Sequence, residues 1–471
     1  MKVERAAWID MQILPHNKVA ILGMGREGRV AWRYLRKKYP EMDLALVDES
    51  RPDPGFVQDL KEKDRLIIGP LSELGLETFD VLLRSPGISP YRHSVQKALR
   101  AGARIVTPST LWFAEYPAAK TICVTGTKGK STTSALIAHM LAACGLKVGL
   151  AGNIGVPLLA CGGSDVDWWV IELSSYQLAD LQAKPDISVI LNLSPEHLDW
   201  HGSKERYYED KLRLAALTED GPVIANGTDK VLCKTLSERS NTVWFNAISG
   251  FRVARAKLFD AGTRLPVKPP AGLPGAHNLA NIAAALTVLR QLGADPAVGL
   301  ESLQTFRCLP HRLQSLGERH GIQFINDSIS STPVATAAAL EAFPDRQVTL
   351  IVGGLDRGLD WAPYLDVVMR RLPVAVIGIP DNGARIISDM EKLDIAPRKG
   401  LHRCQQLSGA VELAKKLTPT GGVILLSPGA PSFPQFRDYR DRGQQFATLS
   451  GLSFEEQDIF PADTSKAAGQ G

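Results

Sequence analysis

Residues 123–133 read C-V-T-G-T-K-G-K-S-T-T, and this stretch limits the possible folds more than any other. The apolar residues Ile122–Val124 suit the end of a buried strand, and residues 134–143 carry small and apolar side chains at helical spacing. A strand, a glycine turn and a helix start therefore stand in register. Gly126 and Gly129 let the backbone pass close to a bulky anion, and the first helical N–H groups, which lack an internal partner, point at it. Lys130 is placed to reach outer phosphates, and the Ser131 hydroxyl to ligate Mg²⁺. The segment Gly126, Thr127, Lys128, Gly129, Lys130, Ser131, Thr132 is thus a candidate triphosphate cradle. Val124 stands where the longer P-loop pattern has its first glycine, so the loop is a shortened form. A glycine-rich turn with a solvated lysine is the bland alternative, and the agreeing flanks favour the nucleotide.

At 471 residues the chain exceeds one ordinary core, and 44% hydrophobic with 22% charged residues is a soluble globular composition. A net charge of +4 is small for this length and calls for neither nucleic acid nor an anionic membrane surface as partner. The six cysteines are scattered without a C-x-x-C pair, which argues against zinc and a disulfide framework and suits a reduced cytoplasm. No run is long and apolar enough to span a bilayer, and the first 17 residues lack a signal-peptide core. A cytoplasmic monomer is expected.

The pattern predicts an α/β chain of three domains: 1–109 Rossmann-like, 110–305 a central P-loop domain with a parallel sheet, and 306–471 a second Rossmann-like unit. In the first, a strand over 19–22 leads into Gly23-Met-Gly25-Arg26-Glu-Gly28 and a helix through Lys38, and the strand 44–48 ends in Asp48. This is a βαβ unit with glycines for a pyrophosphate and an acid for a ribose hydroxyl. Taken alone it suggests NAD and an oxidoreductase, and it equally fits any nucleotide diphosphate. The turn Arg84-Ser85-Pro86-Gly87-Ile88 after another apolar strand would close over the same ligand, or serve only as a tight turn.

In the central region a strand over 148–151 ends in Gly152-Asn153, and one over 168–171 ends in Glu172-Leu-Ser-Ser. A carboxylate at that end of a parallel strand, beside a P-loop, suits a metal ligand. A loop over 192–202 carries His197, Asp199 and His201, and Lys211 lies in a helix over 205–217, where it reads as a solvated charge. Short antiparallel strands are expected over 237–268. His277-Asn278-x-x-Asn281 precedes a helix over 282–292 and suits either a base edge or capping. In the last region Leu309-Pro-His-Arg312 precedes a strand pair ending in Asn326-Asp327-Ser328. A helix over 333–342 has Ser331 or Thr332 as its cap.

Taken in order, the shortened P-loop, Glu172-Leu-Ser-Ser, the 192–202 loop, His277-Asn278-x-x-Asn281, Pro310-His-Arg312 and Asn326-Asp327-Ser328 resemble the Mur ligase family over almost the whole chain. Within it the chain is most similar to ligases that add glutamate to UDP-N-acetylmuramoyl-L-alanine in peptidoglycan synthesis. The resemblance implies ATP and Mg²⁺, phosphorylation of the muramoyl-alanine carboxylate, and attack on the acyl phosphate by the glutamate amine. It implies Lys130, His197 and Lys211 as catalytic residues, with Lys211 modified by CO₂ to a carbamate. Ser131, Glu172, His197 and Lys211 become metal ligands, and Asn281, Arg312 and Asp327 hold ATP beside the P-loop. Gly23, Gly25, Arg26, Gly28, Asp48, Glu49, Ser85, Gly87 and Asn153 match the uridine diphosphate and muramoyl positions. The glutamate pocket is carried over to Ser331, Arg357, Ser432, Phe433 and Tyr439. It is also where the chain departs from D-glutamate-adding relatives: Ile329 replaces a lysine, Ser331 a threonine and Arg357 a lysine. An Arg fork in place of a Lys point charge repositions a bound carboxylate. The departures resemble ligases that add L-glutamate, with D-glutamate as the alternative. A ligase resembling folylpolyglutamate synthase shares only the central part of the pattern.

Overall fold

The computed structural model describes residues 14–163, 165–267, 273, 276–307, 309–356 and 358–452. Among them, three parallel sheets follow one another along the chain. The first contains β1 (Val19–Leu22), β2 (Leu44–Asp48), β3 (Asp64–Ile68), β4 (Val81–Arg84) and β5 (Arg104–Val106), in the order β3-β2-β1-β4-β5. The second contains β6 (Thr121–Thr125), β7 (Val148–Gly152), β8 (Trp168–Glu172), β9 (Ile187–Ile190), β10 (Val223–Asn226) and β11 (Thr242–Phe245), in the order β11-β10-β9-β6-β8-β7. An antiparallel ribbon of β12 (Phe251–Ala254), β13 (Lys257–Asp260) and β14 (Thr263–Arg264) follows, as the sequence suggests. The third sheet contains β15 (Gln314–Arg319), β16 (Ile322–Asn326), β17 (Val348–Val352), β18 (Ala375–Gly378), β19 (Leu401–Arg403) and β20 (Val423–Leu426). Its order is β15-β16-β20-β17-β18-β19, and β15 alone runs antiparallel to its neighbour.

The central strands are continuous apolar runs because helices cover both faces of a parallel sheet. β1, β6, β9, β17 and β20 are buried at every position, and they are among the strands visible in the sequence. Edge strands such as β3 and β19 are half-exposed and mix charges with apolar residues, so they carry no such run.

The chain divides into two compact units. One gathers the first two sheets with Ala280–Ser302, and the other the described residues of Val267–Leu279 and Leu303–Ile459. The expected 109/110 limit falls inside the helix Pro108–Glu115. That helix is capped by Thr107, and residues Pro108–Phe113 are all buried. Trp112 lies in one continuous core that contains Ile21 and Leu83 of the first sheet, Cys123 and Ile171 of the second, and Leu214 of the helix Lys204–Leu217. Its ring meets Trp169 edge-on at 5.6 Å. A shared aromatic core makes the first two sheets one body. The other unit has its own two cores, one on each side of β17 and β20.

Candidate active site

In an open α/β sheet, ligands bind beyond the carboxyl ends of the strands where strand order reverses, here between β1 and β4. The glycine turn after β1 lies there. A Cβ on Gly28 would stand 1.9 Å from the Gly23 carbonyl oxygen, so only glycine lets the helix Arg26–Lys38 pack on the turn. Ser85 Oγ donates to that same carbonyl at 2.6 Å, joining the two turns. Asp48 accepts from the Met24 N–H at 2.5 Å and the Ser50 N–H at 3.0 Å. The acid expected to meet a ribose therefore also braces the turn, with lone pairs to spare. Space around Gly25 and Gly87 is open, Glu49 pairs with Arg92 at 2.9 Å, and Arg26 donates to the Gly155 carbonyl at 2.9 Å.

The helix after the P-loop starts at Lys130, one turn earlier than the apolar pattern indicates, because Ser131, Thr132 and Thr133 are polar yet buried. Gly129, at φ +85°, is its N-cap without a side-chain bond. A Cβ on Gly129 would stand 2.6 Å from Asn281 Oδ1, so Asn281 sits against the loop. The loop after β9 supports the other side. Asn192 accepts the Thr127 N–H on its carbonyl and the Lys128 N–H on Oδ1, both at 2.8 Å. Thr127 Oγ1 shares a 2.8 Å hydrogen bond with the Tyr207 hydroxyl. Lys130 Nζ donates to the carbonyls of Gly126 and Thr127, each at 3.1 Å.

Glu172 ends β8, beside the P-loop strand, and is 1% exposed. Its Oε1 accepts from Asn153 Nδ2 at 2.7 Å, and its Oε2 is buried without a hydrogen-bond partner. Such an atom is costly unless a cation satisfies it. Lys211 is fully buried, and its Nζ donates to the Gly126 carbonyl at 2.9 Å, the acceptor Lys130 also uses. Burial, then the Lys130 charge, pushes Lys211 well below the usual lysine range. It is not the solvated charge its residue pattern suggests. His197 caps the one-turn helix Leu198–His201 from a left-handed backbone at φ 56°, and burial lowers its pKa. Lys128 pairs with Glu196 at 2.6 Å. Among the described residues no group of three or more His, Cys, Asp or Glu is placed to hold a metal. A cation at Glu172 would therefore need the Ser131 hydroxyl, His197, a modified Lys211 and phosphate oxygens. The orphaned Oε2 fits that arrangement.

In the other unit, Asp327 is buried. It accepts from Ser427 Oγ at 2.7 Å, from the Leu313 N–H at 3.1 Å and, in a short contact, from Ser330 Oγ. It thus holds the segment that carries Arg312. Burial raises its pKa to about 6. Ser432 is buried, Phe433 is exposed, and Tyr439 meets His311 edge-on at 5.6 Å. Ser331 precedes Thr332, the N-cap of the helix Pro333–Glu341, which makes no capping bond; the Thr332 hydroxyl is buried without a partner. Arg357 lies outside the described residues.

Several residues escaped the sequence reading. Arg442 is buried and donates to the Ser328 carbonyl at 2.8 Å and the Ala430 carbonyl at 3.0 Å, which ties together the turns after β16 and β20. Arg84 is buried against Asp180, and Tyr91, Asp210, His201 and Ser175 form a hydrogen-bonded chain. Burial pushes Glu27 up to about 7 beside Gln177. Arg442 reads as one of several alternating charges, and its partners are distant in sequence.

Comparison with known proteins agrees with this geometry. The Mur ligase middle domain matches residues 124–289, and the Mur ligase MurD-like N-terminal domain matches residues 17–107. The chain is 41% identical over 449 residues to the UDP-N-acetylmuramoyl-L-alanine–L-glutamate ligase of Xanthomonas oryzae pv. oryzae, covering 92% of this chain and 95% of that one. Proteins of the same name from Xylella fastidiosa and Salinispora tropica are 42% and 39% identical, with 93% and 91% of this chain covered and 96% of each relative. Two solved structures share the fold. The UDP-N-acetylmuramate-alanine ligase MurC of Thermotoga maritima has a TM-score of 0.57 at 19% identity, covering 92% of this chain and 99% of that one. A Thermotoga maritima MurF ligase in complex with ADP has a TM-score of 0.58 at 17% identity, covering 92% and 93%. Fold and site define an ATP-dependent acid–amino-acid ligase. The chain belongs to the Mur ligase family and has a MurD-like N-terminal domain. The dinucleotide-dependent oxidoreductase suggested by the first glycine turn is set aside.

Two outcomes follow. Gly129→Ala forces a Cβ into Asn281 at a left-handed φ, so ATP affinity measured by calorimetry should fall about tenfold or more, the scale of one misplaced contact; unchanged affinity would contradict the cradle. The raised folded-state pKa of Asp327 means that its stabilising effect is complete below the unfolded value near 3.8 and lost as pH rises through about 6. Asp327→Asn should therefore gain stability relative to the parent between pH 4 and 7, on the order of 2 kcal/mol. Melting curves that keep a constant offset across that range would contradict it.

Proposed function

We propose that this chain joins L-glutamate to UDP-N-acetylmuramoyl-L-alanine at the expense of ATP, through an acyl phosphate, in peptidoglycan synthesis. One observation carries the reading: the P-loop, the orphaned Glu172 carboxylate oxygen and the buried Lys211 stand together in a chain that matches L-glutamate ligases over more than nine-tenths of its length. A carboxylate is a poor electrophile, and transfer of a phosphoryl group to its oxygen creates a leaving group. The enzyme must hold two anions together while this happens.

Lys130, Lys128 and the first-turn N–H groups of the Lys130–Ala143 helix supply positive charge at the P-loop for the phosphates. Asn281 orients the loop from its far side. Mg²⁺, held by Ser131, Glu172, His197 and Lys211, would neutralise phosphate charge. Lys211 is suited to carbamate formation: its ammonium first gives up a proton, the amine attacks CO₂, an N–C bond forms, a second proton leaves, and a cation becomes an anionic oxygen ligand. We assign the sugar nucleotide to the turns at Gly23–Gly28 and Ser85–Gly87 with Asp48 and Glu49, and the muramoyl arm to Asn153. Arg312 and Asp327 are assigned to ATP, with Asp327 acting by bracing the Arg312 segment. Ser331, Arg357, Ser432, Phe433 and Tyr439 are assigned to glutamate. The division 1–109, 110–305 and 306–471 is kept as a functional one, with the chain acting as a cytoplasmic monomer. No helix among the described residues is long and apolar enough to cross a membrane.

Parallel assays with L- and D-glutamate test the substrate: product should form with the L-isomer, and exclusive use of the D-isomer would refute the assignment. Carbamate formation is tested by NMR in ¹³C-bicarbonate. A carbamate carbon signal is expected in the parent and absent from Lys211→Ala; no signal in the parent would rule out the modification.

A further inference from the structure

Arg84 ends β4 completely buried, yet no step above uses it. Its Nε and Nη2 donate to the two carboxylate oxygens of Asp180 at 2.7 and 2.5 Å, a bidentate pair. Nη2 also donates to the Tyr176 carbonyl at 2.8 Å. Nη1 donates to three carbonyls of the turn that follows, Ser85 at 3.1 Å, Pro86 at 3.2 Å and Ile88 at 2.6 Å. One guanidinium therefore holds the turn from within and fastens it to the helix Ser175–Leu178, which starts three residues after Glu172.

Two further ties run beside it. Trp200 Nε1 donates to the Gly87 carbonyl at 3.2 Å, Ser89 Oγ donates to the Trp200 carbonyl at 2.8 Å, and the Trp200 ring stacks on Tyr176 at 4.3 Å. Trp200 belongs to the short helix capped by His197. The Tyr91 hydroxyl donates to Asp210 at 2.5 Å, and Asp210 hydrogen-bonds His201 Nδ1 at 2.6 Å. His201 Nε2 in turn meets Ser175 Oγ at 3.0 Å, and Asp210 immediately precedes Lys211. The segment 84–91 is thus tied separately to the segment that follows Glu172 and to the elements bearing His197 and Lys211.

A buried ion pair is seldom the most stabilising choice for its site, because desolvation offsets the attraction. What this one adds is geometry: charge and carbonyls are so fully matched that the 85–88 turn cannot move without moving the 172–180 segment. We propose that Arg84, assisted by Trp200, is a positioning residue that couples sugar-nucleotide binding at the 85–88 turn to triphosphate binding at the P-loop. This rests on the assignment of that turn to the sugar nucleotide.

The test uses the full chain and isothermal titration of UDP-N-acetylmuramoyl-L-alanine, with and without a non-hydrolysable ATP analogue and Mg²⁺. Arg84→Met/Asp180→Leu removes both buried charges together, so neither is left unpaired. Trp200→Phe keeps the ring stack and removes one hydrogen bond. In the parent, the analogue should tighten sugar-nucleotide binding by about fivefold or more, the usual size of a coupling between sites. In the double variant the tightening should drop below about twofold, with a raised KM for the sugar nucleotide, and Trp200→Phe, with a parental melting temperature, should fall between. A purely structural role would change the melting temperature and leave the coupling intact. No tightening in the parent, or parental tightening in the double variant, overturns the proposal. Should the double variant fail to fold, Trp200→Phe decides alone, and full coupling there overturns it. Ligation is assayed separately: a parent that binds both ligands cooperatively but forms no product would count against the functional reading and not against the coupling.

Discussion

Two lysines donate to one carbonyl, and the rest of the central site follows from that crowding. Lys130 and Lys211 both reach the Gly126 oxygen, one from the helix the loop starts and the other from a helix packed behind it. Burial, then the nearby Lys130 charge, holds Lys211 well below the usual lysine range, while Lys130 sits at the half-buried mouth of the loop. Under the proposed function the buried amine would be the nucleophile for CO₂, and a carbamate there would reverse the sign of charge beside Glu172. The same crowding makes the loop attractive to a polyanion. Under the proposed function, one electrostatic arrangement would serve both a triphosphate and a cation.

The scaffold keeps this arrangement stiff. β6 is flanked by β8 and β9, so Glu172 and Asn192 emerge on either side of the P-loop at the same end of the sheet. The aromatic core around Trp112 locks the first sheet onto the second, and the ties from Arg84, Trp200 and Tyr91 continue that lock to the ligand-facing edge. In the other unit a buried cation, Arg442, binds loop carbonyls in a similar way. In both units an arginine with few acidic neighbours orders turns expected to meet carboxylate or phosphate.

What could be read from the sequence was what is local. The glycine-rich motif around Lys130, residues 123–133, occupies eleven consecutive residues, and the glycine turn at Gly23 is equally compact. Both were visible, as was the apolar interior of each sheet. Lys211 was different: its residue type and helix position pointed to a solvated charge, and only the family resemblance pointed to chemistry. The ties of Arg84 to Asp180, Tyr91 to Asp210 and Arg442 to Ser328 span 96, 119 and 114 residues. No periodicity reports such pairs, because nothing within a helical turn or a strand marks a side chain whose partner lies in another element. The boundary near residue 110 was drawn at a break in pattern, whereas packing runs straight through it.

The central claim is that the muramoyl-alanine carboxylate is activated by phosphoryl transfer on this P-loop. It is tested most directly by labelling that carboxylate with ¹⁸O and examining the inorganic phosphate released during ligation to L-glutamate. Phosphate carrying one labelled oxygen is the predicted result, because the acyl C–O bond breaks when the amine attacks. Product formed alongside unlabelled phosphate would contradict the account.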